Sequence, residues 1–344
     1  MIDIKAAEMM AKLHDALKAH GYDGHVLEVY LVRLLFCLFA DSTDIFPNNS
    51  FRAYLDASKP DASDLSCRIE RLFEILDRPD GVRKKRDLIS DELNQFPYVN
   101  GSLFSETLPI TDFDTSIRQI LLECAKFNWS SISPAIFGAM FQGVMDKDKR
   151  REMGAHYTDE KNILKVINPL FLDDLWAEFE RVKTDPKALG QFHEKIASLK
   201  FLDPACGCGN FLIVTYRELR ILELEILKIK NSDNRLILDM LIKVKIGQFY
   251  GIELEEFPSQ IAYVGMWLTD HQMNLKVSET FGASLCRLPL TDGSSIKVAN
   301  ALRVDWESVV AKSELAYILG NPPFAGGMMM TREQKGRWSI FLAT

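Results

Sequence analysis

Apolar residues recur at intervals of three and four over residues 6–122, which is the spacing of amphipathic helices that bury one face. The most apolar window, residues 26–40, contains Glu28 and Arg33 and is too short to cross a bilayer, so it predicts a buried helix. Stretches rich in Pro, Asn, Asp and Gly separate the helical patterns, as turns do. The pattern predicts a helical N-terminal domain over residues 1–130.

Beyond residue 130 the pattern changes to short apolar runs that alternate with long amphipathic segments. Four runs have the length of strands, and each ends on a polar residue: Asp203, Glu253, Asn300 and Asn321. Strands that alternate with helices pair in parallel and form an open doubly wound sheet. Ligands of such sheets bind at the carboxyl ends of the strands. The sequence therefore predicts an α/β protein, with a Rossmann-like parallel sheet in a second domain over residues 131–344.

Composition and charge limit the classes of function. The chain has 344 residues, of which 47% are apolar and 26% charged, and a net charge of −7. This is ordinary for a globular protein, and the acidic balance argues against a surface built for general nucleic-acid binding. Two basic clusters, residues 83–86 and 147–151, are interpreted as solvated loops or helix faces. The N-terminus does not resemble a signal peptide, so we expect a cytoplasmic protein with no membrane partner.

The cysteines do not predict a metal site. Six cysteines are scattered along the chain, and the one close pair, Cys206 and Cys208, has no second pair or neighbouring histidine that would complete a zinc site. We therefore expect no bound metal and reduced thiols.

The segment "FLDPACGCGNFL" has the chemistry of a ligand-binding loop. Gly207 and Gly209 permit a tight turn and close approach of the backbone, and the helix that follows favours a negative group at its N-terminus. A nicotinamide site needs a third glycine, where this chain has Leu212, and an acid about 20 residues later, whereas Glu253 lies much further on. Asp203 instead adds a carboxylate, so a ligand with both an ammonium and a carboxylate group would suit the loop.

The next two strand ends leave two interpretations each. Glu253 could accept hydrogen bonds from ribose hydroxyls or be a surface glutamate. Asn300 could pair with an adenine edge through its amide or cap the turn that follows it.

The segment "GNPPF" is a rigid corner, because neither proline has a backbone donor and each fixes φ. Asn321 is no base, but its carbonyl and a backbone carbonyl freed at the corner can accept both hydrogens of a planar amino group. Phe324 offers a flat face on which a base could stack. The alternative is a proline-stiffened turn with a buried phenylalanine.

Together these segments resemble the class I S-adenosylmethionine-dependent amino-methyltransferases of DNA. The resemblance implies a methionine-binding motif at "DPACGCGNF", a ribose and adenine motif at "GIELEE", an adenine-edge motif at "VANAL" and a catalytic motif at "GNPPF". It also implies a cofactor role for "HYT", although many relatives have Pro where this chain has Asp159. The implied cofactor-binding residues are Tyr157, Thr158, Asp203, Ala205, Gly207, Gly209, Glu253, Leu254 and Asn300, and the implied catalytic residues are Asn321, Pro322, Pro323 and Phe324.

Three further segments, "HGYDGHVLEVYLVRLLFCLFADSTDIF", "FPYVNGSLF" and "MGAHYT", narrow the resemblance to the MmeI-like (type IIG/IIL) restriction-modification enzymes. That family implies N6-adenine methylation of double-stranded DNA, with the target base flipped out of the stack. We expect no nuclease, because the E-x-K at residues 333–335 follows the corner without a strand pattern.

We also expect the sheet to be incomplete, because the family continues past "NPPF" with further strands and a target recognition domain. On that expectation the chain is a fragment with weak or no activity alone, and a second polypeptide could supply the missing strands. The alternatives are methylation of another planar amine, such as an rRNA base or a protein glutamine, and a non-catalytic interaction module. A NAD-dependent dehydrogenase fits least.

Overall fold

The computed structural model describes residues 2–83, 90–99, 103–109, 112–136, 138, 158–230, 241–282, 285 and 295–322. Contacts divide the chain into two compact units, residues 1–136 with 286–292 and residues 137–285 with 293–344. Among the described residues, no helix is both long enough and apolar enough to cross a membrane.

The first unit is helical, which confirms the prediction for this part of the chain. Its helices are α1 Ile2–Ala19, α2 Gly24–Ser42, α3 Ser50–Asp56, α4 Leu65–Leu76, α5 Asp80–Arg83, α6 Asp91–Asn94 and α7 Thr115–Lys126. Helix α2 contains the apolar window and is buried along most of its length. The prediction of a buried helix is therefore correct.

The charge inside that apolar window has a structural role. Arg33 is 1% exposed, and its Nε and Nη2 donate to the carbonyl oxygens of Leu103 and Glu106, each at 2.8 Å. Its guanidinium also lies over the rings of Phe73 and Phe104, an arrangement that stabilises a cation in an apolar setting. Arg33 thus holds the segment around residue 103 on α2.

The first basic cluster is not what the sequence predicts. Arg83 was expected on a solvated surface but is 6% exposed. Its guanidinium donates to the carbonyl oxygens of Ile75, Arg78 and Phe96, because the last carbonyls of a helix such as α4 have no partner within the helix. The rest of that cluster and the whole of the second, residues 147–151, lie outside the described residues.

The second unit combines helices with a parallel sheet. Its helices are α8 Glu160–Ile167, which continues through a π-helical turn at Asn168–Leu172, α9 Asp173–Val182, α10 Pro186–Ser198, α11 Asn210–Lys230 and α12 Glu256–Phe281. Its strands are β1 Phe201–Asp203, β2 Phe249–Glu253, β3 Ser295–Val298 and β4 Tyr317–Ile318. Short 3-10 turns occupy Ile246–Gln248 and Trp306–Ser308.

The four strands form one sheet in the order β3-β2-β1-β4, and every pair is parallel. This confirms the predicted α/β class with a partial Rossmann-like sheet. Strands β3 and β4 end two and three residues before Asn300 and Asn321, although single bonds continue the pairing, with Ala299 N–H donating to Glu253 O at 2.7 Å and Leu319 N–H donating to Leu202 O at 3.0 Å. Both asparagines therefore lie in the loops that leave the sheet.

An aromatic ladder fills the start of the sheet. Phe201 stacks on Phe249 with ring centroids 5.1 Å apart, and on Tyr317 at 5.5 Å, because the register pairs Phe201 with both residues. Cross-strand aromatic pairs of this kind stabilise a sheet and fix its register. The aromatic pairs thus lie at the end of the sheet opposite the polar strand ends.

A buried charged cluster joins α11 to α12. Arg220 Nη1 donates to Tyr216 Oη at 2.6 Å and to Asp270 Oδ1 at 2.7 Å, and Nη2 donates to Asn274 Oδ1 at 2.9 Å. Asn274 Nδ2 in turn donates to Asp270 Oδ2 at 3.0 Å. Each of these four side chains is buried, and the guanidinium compensates the Asp270 carboxylate.

Glu223 extends this cluster towards α10. Its carboxylate lies 3.2 Å from Arg220 Nε and also receives hydrogen bonds from His193 Nε2 at 2.9 Å and the Val244 backbone N–H at 2.8 Å. Buried charges are tolerated when they are paired and hydrogen-bonded in this way. We refer to Tyr216, Arg220, Glu223, Asp270 and Asn274 as the Arg220 cluster.

Candidate active site

The first two polar strand ends are neighbours, as the sequence predicts. Strands β1 and β2 pair in parallel, with Asp203 opposite Gly251, so Asp203 and Glu253 both lie at the carboxyl edge of the sheet. Strand β4 pairs with the other side of β1 and leads to the corner at Asn321. The crossover between β1 and β2 contains the glycine loop, residues 204–209.

The two glycines of this loop serve different ends. Both have positive φ, +53° at Gly207 and +81° at Gly209, a conformation that costs other residues about 1–2 kcal/mol. A Cβ at Gly209 would lie 2.8 Å from the Cβ of Ala262 in α12, so Gly209 permits close packing. A Cβ at Gly207 would have no described atom within 4 Å, so the loop there borders open space.

Asp203 is a buried carboxyl group with no compensating cation in the described ranges of the chain. It is 2% exposed, its Oδ1 accepts one hydrogen bond from the Ala205 N–H at 3.0 Å, and no Lys, Arg or His among the described residues pairs with it. Burial raises the pKa of Asp203 from its ordinary 3.8 to about 7, and the negative charge of Glu253 adds to that rise. A carboxyl group in this state would gain from a cationic ligand.

Glu253 connects two loops at the sheet edge. Its Oε2 accepts the Gly207 N–H at 2.8 Å, and its Oε1 accepts the N–H groups of Leu254 and Glu255 at 2.8 and 3.0 Å. A carboxylate offers about four acceptor sites, so roughly one remains for a ligand. Glu253 is therefore more than a surface residue, since it fixes the glycine loop against the end of β2.

The turn after β3 favours the capping interpretation of Asn300. Its side-chain Oδ1 accepts the Leu302 N–H at 3.0 Å, which is an Asx-type turn. Its Nδ2 has no partner among the described residues and remains a possible donor to a ligand. Leu254, which the resemblance places against an adenine ring, is 58% exposed at the same edge.

The corner contacts the segment before α8. Asn321 Nδ2 donates to Thr158 Oγ1 at 3.0 Å, so the structure brings together one predicted catalytic and one predicted cofactor residue. The oxygen of the Asn321 amide is not used by this bond. Asp159 caps α8 by accepting the Asn162 N–H at 2.8 Å, which explains an acidic residue there. Tyr157, Pro323 and Phe324 lie outside the described residues.

Sequence reasoning missed Gly320, which links the two halves of the site. Its φ is +152°, and a Cβ there would lie 2.9 Å from Asp203 Cγ, 3.2 Å from Oδ2 and closer still to Oδ1. The Asp203 carboxyl group therefore rests directly on the Cα of Gly320. The glycine before "NPPF" was the available signal, but its meaning depends on β4 lying beside β1.

The two thiols in the glycine loop are not ionised at neutral pH. Burial raises the pKa of Cys208 to about 12, and that of Cys206 well above its ordinary value. Since metal ligation and nucleophilic attack need the thiolate, neither group is activated. Across the described ranges, no three His, Cys, Asp or Glu side chains are grouped so that they could hold a metal ion.

Two family descriptions match the chain. "MmeI, helicase spacer domain" matches residues 25–104, and "MmeI, DNA-methyltransferase domain" matches residues 179–343. The first falls within the helical unit, and the second includes all four strands and the corner.

Two relatives match almost the whole chain. DNA methyltransferase A of Bacillus subtilis (strain 168) is 40% identical over 343 residues, which cover 97% of this chain and 38% of that protein. A solved structure of the type IIL restriction-modification enzyme MmeI in complex with DNA is 52% identical with a TM-score of 0.89, and the match covers 98% of this chain and 45% of that one. The chain therefore spans less than half the length of either relative. It belongs to the MmeI-like family of type IIL restriction-modification enzymes, as the resemblance predicts, and carries that family's helicase spacer and DNA-methyltransferase domains.

Proposed function

We propose that this chain supplies the cofactor-binding and catalytic part of a DNA adenine-N6 methyltransferase that uses S-adenosylmethionine. The observation that carries the proposal is the position of the corner. Asn321 follows the strand next to β1, its amide nitrogen is held by Thr158, and its neighbour Gly320 touches the Asp203 carboxyl group. The group that would hold an amino nitrogen thus lies beside a carboxyl group suited to a cationic ligand.

The residues at the edge fit the proposed cofactor. The Asp203 carboxyl group, buried and lacking a cation among the described residues, suits the ammonium of a methionine moiety. The open space beside Gly207 leaves room for a ligand against the backbone of the glycine loop, and exposed Leu254 offers an apolar surface for an adenine ring. When bound, S-adenosylmethionine supplies an electrophilic methyl group.

The hydrogen bonds that Glu253 already accepts limit how it can bind the ribose in this proposal. Three backbone N–H groups already occupy its carboxylate, so it can accept about one ribose hydroxyl without change. A second hydroxyl would have to replace the Gly207 N–H on Oε2. We therefore propose that Glu253 binds the ribose and that the glycine loop adjusts as it does so.

Asn321 holds the target amino group in this proposal. Because Thr158 fixes the amide nitrogen, the amide oxygen can accept one hydrogen of a planar amino group, and a backbone carbonyl at the proline corner can accept the other. Such fixed acceptors orient the nitrogen towards the methyl donor, which is the main contribution that positioning makes to direct transfer. We propose that Pro322 and Pro323 stiffen the corner and that Phe324 stacks on the flipped base.

The relatives support DNA as the substrate. The Bacillus subtilis relative is named a DNA methyltransferase, and the solved MmeI structure is a complex with DNA. We therefore propose double-stranded DNA as the partner of the complete enzyme, in preference to a protein amide or an rRNA base.

Cofactor binding is tested by isothermal titration of the 344-residue chain with S-adenosylmethionine. Wild type and Asn321→Ala should bind with similar affinity, because Asn321 contacts the substrate amine. Glu253→Ala should weaken binding by roughly tenfold or more, and Glu253→Gln by less, since its amide oxygen keeps one backbone partner. Equal heats in wild type and Glu253→Ala would contradict the cofactor assignment.

The product is tested by nucleoside mass spectrometry of DNA from a methylation-deficient bacterial host that expresses the chain. N6-methyldeoxyadenosine in the wild-type sample and its loss in Asn321→Ala would support adenine specificity. N4-methyldeoxycytidine in its place would overturn that specificity while leaving the cofactor assignment intact.

A further inference from the structure

Residue 320 is in contact with the carboxyl group that the proposed function assigns to the cofactor ammonium. The three atoms nearest to a Cβ at this position all belong to Asp203, namely Oδ1, Cγ and Oδ2. Non-bonded carbon and oxygen atoms do not approach within 3 Å without strain, so any side chain at residue 320 displaces one of the two partners.

The main chain at residue 320 is the more firmly held partner. Leu319 N–H donates to Leu202 O at 3.0 Å, and β4 pairs with β1 through Tyr317 and Ile318. The carboxyl group of Asp203, in contrast, accepts one hydrogen bond from the described part of the chain, that of the Ala205 N–H, and can rotate about its side-chain torsions. A side chain at residue 320 would therefore move the carboxyl group and break its bond to Ala205.

From this contact we infer that Gly320 is a positioning residue, which keeps the Asp203 carboxyl group aimed at the ammonium end of the cofactor. The inference rests on the proposed function, because it assigns Gly320 a purpose only if Asp203 receives that ammonium. It also gives the corner motif a second role, since the residue before Asn321 controls a contact made by Asp203 at the end of β1 rather than one made by the substrate base.

The test compares two ligands and two matched glycine variants of the 344-residue chain. S-Adenosylmethionine carries the ammonium, whereas 5′-methylthioadenosine has the same adenine and ribose but no amino-acid end. Gly320→Ala introduces the clash with Asp203. Gly282→Ala is the control for an alanine at a glycine of positive φ, because Gly282 has a φ of +62°, which strains an alanine less than the +152° of Gly320, and a Cβ there would meet no described atom within 4 Å.

Gly320→Ala should weaken S-adenosylmethionine binding by roughly tenfold to a hundredfold and leave the affinity for 5′-methylthioadenosine within about twofold of wild type. Gly282→Ala should leave both affinities unchanged. A merely structural effect of Gly320→Ala would weaken both ligands together and would overturn the inference, as would unchanged binding of S-adenosylmethionine.

Failure of the proposed function gives a different result, which is seen in the wild-type chain. If the wild-type chain, folded as shown by its thermal transition, binds neither ligand, the cofactor assignment is wrong and the inference is overturned with it. If wild type binds both ligands with the same affinity, Asp203 does not receive the ammonium and the assignment of Gly320 fails even though the nucleoside site stands.

Discussion

Two buried carboxyl groups in the second unit, those of Asp203 and Asp270, differ in whether a cation compensates their charge. Asp270 is paired with the Arg220 guanidinium at 2.7 Å and hydrogen-bonded to Asn274. Asp203 is buried to a similar degree, but among the described residues it has one hydrogen bond, from the Ala205 N–H, and no cation, and the charge of Glu253 repels it. The fold tolerates a buried charge that is compensated, whereas an uncompensated one costs stability and is expected where a ligand supplies the missing charge.

The largest expected change in stability comes from removing the cation that compensates Asp270. Arg220→Met should destabilise the second unit by roughly 3–5 kcal/mol, because it leaves the Asp270 and Glu223 carboxylates buried without their cation. Urea denaturation followed by circular dichroism measures this loss.

The matched control for that variant is an exposed ion pair. Lys183→Ala removes a surface pair with Glu180 and should change stability by about 0–1 kcal/mol. A denaturation midpoint of Arg220→Met equal to that of the control would show that the Arg220 cluster does not stabilise the fold.

Asp203→Asn should stabilise the protein, which is the opposite of the effect expected for Arg220→Met. Between about pH 4 and pH 7 the unfolded chain gives up the Asp203 proton while the folded chain keeps it, so wild-type stability falls as pH rises through this window. The amide stays neutral, so the variant should match wild type at the acid end and be more stable by up to about 4 kcal/mol at pH 8.

Thermal denaturation of wild type and Asp203→Asn over this pH range measures the difference, and Asp270→Asn is the control. Asp270→Asn should destabilise the protein, since it weakens an existing ion pair. A loss of stability at pH 8 in both asparagine variants would break the contrast between the two carboxyl groups.

The two glycines of the loop, Gly207 and Gly209, allow a comparison between a residue needed for packing and a residue needed for ligand binding, with smaller expected effects. Gly209→Ala combines a positive φ with a clash against Ala262 and should cost roughly 2–4 kcal/mol. Gly207→Ala has the same backbone cost without the clash, so it should destabilise by about 1–2 kcal/mol yet weaken S-adenosylmethionine binding more than its stability predicts. Denaturation measures the free energy of unfolding of both variants, and titration measures their affinity for S-adenosylmethionine. If both variants lose affinity in the same proportion to their loss of stability, the prediction is wrong.

The smallest effects concern Asn300, for which the sequence left two interpretations. Asn300→Ala should cost about 1 kcal/mol, because it removes the acceptor of the Leu302 N–H. Asn300→Asp keeps that acceptor but replaces the Nδ2 donor, so it should leave stability unchanged and weaken S-adenosylmethionine severalfold if the amide reads the adenine edge. Unchanged affinity in Asn300→Asp would leave turn capping as its role.

The sequence predicts the first two strands and their polar ends correctly, because each depends on a local pattern, whereas β3 and β4 end two and three residues before Asn300 and Asn321. The apolar runs before Asp203 and Glu253 and the glycines between strand and helix are local signals, and they place the two carboxyl groups at one sheet edge. The contact between Asp203 and Gly320 is not local. It depends on β4 pairing with β1 rather than with β3, which the order of segments along the chain does not specify.

The burial of two arginines in the helices could not be predicted from the sequence, for a physical reason. Arg83 and Arg220 lie in segments where charged residues normally mark the solvent side, and each also has partners far away in the sequence that the local pattern does not show. Arg83 binds carbonyls at the end of α4 and a more distant segment, while Arg220 binds residues 50 positions away in α12. Such partners become visible only once the helices are packed.

The most direct test of the central claim is a count of the protons released when S-adenosylmethionine binds. Titrations at pH 6.5 in two buffers of different ionisation enthalpy give this number, and 5′-methylthioadenosine serves as the ligand without an ammonium. If the ammonium pairs with the Asp203 carboxylate, binding should release roughly 0.5–1 proton at this pH, because the pKa of Asp203 falls from about 7 when a cation compensates it. The nucleoside should release none. No proton release with S-adenosylmethionine would show that Asp203 is not the group that receives the ammonium.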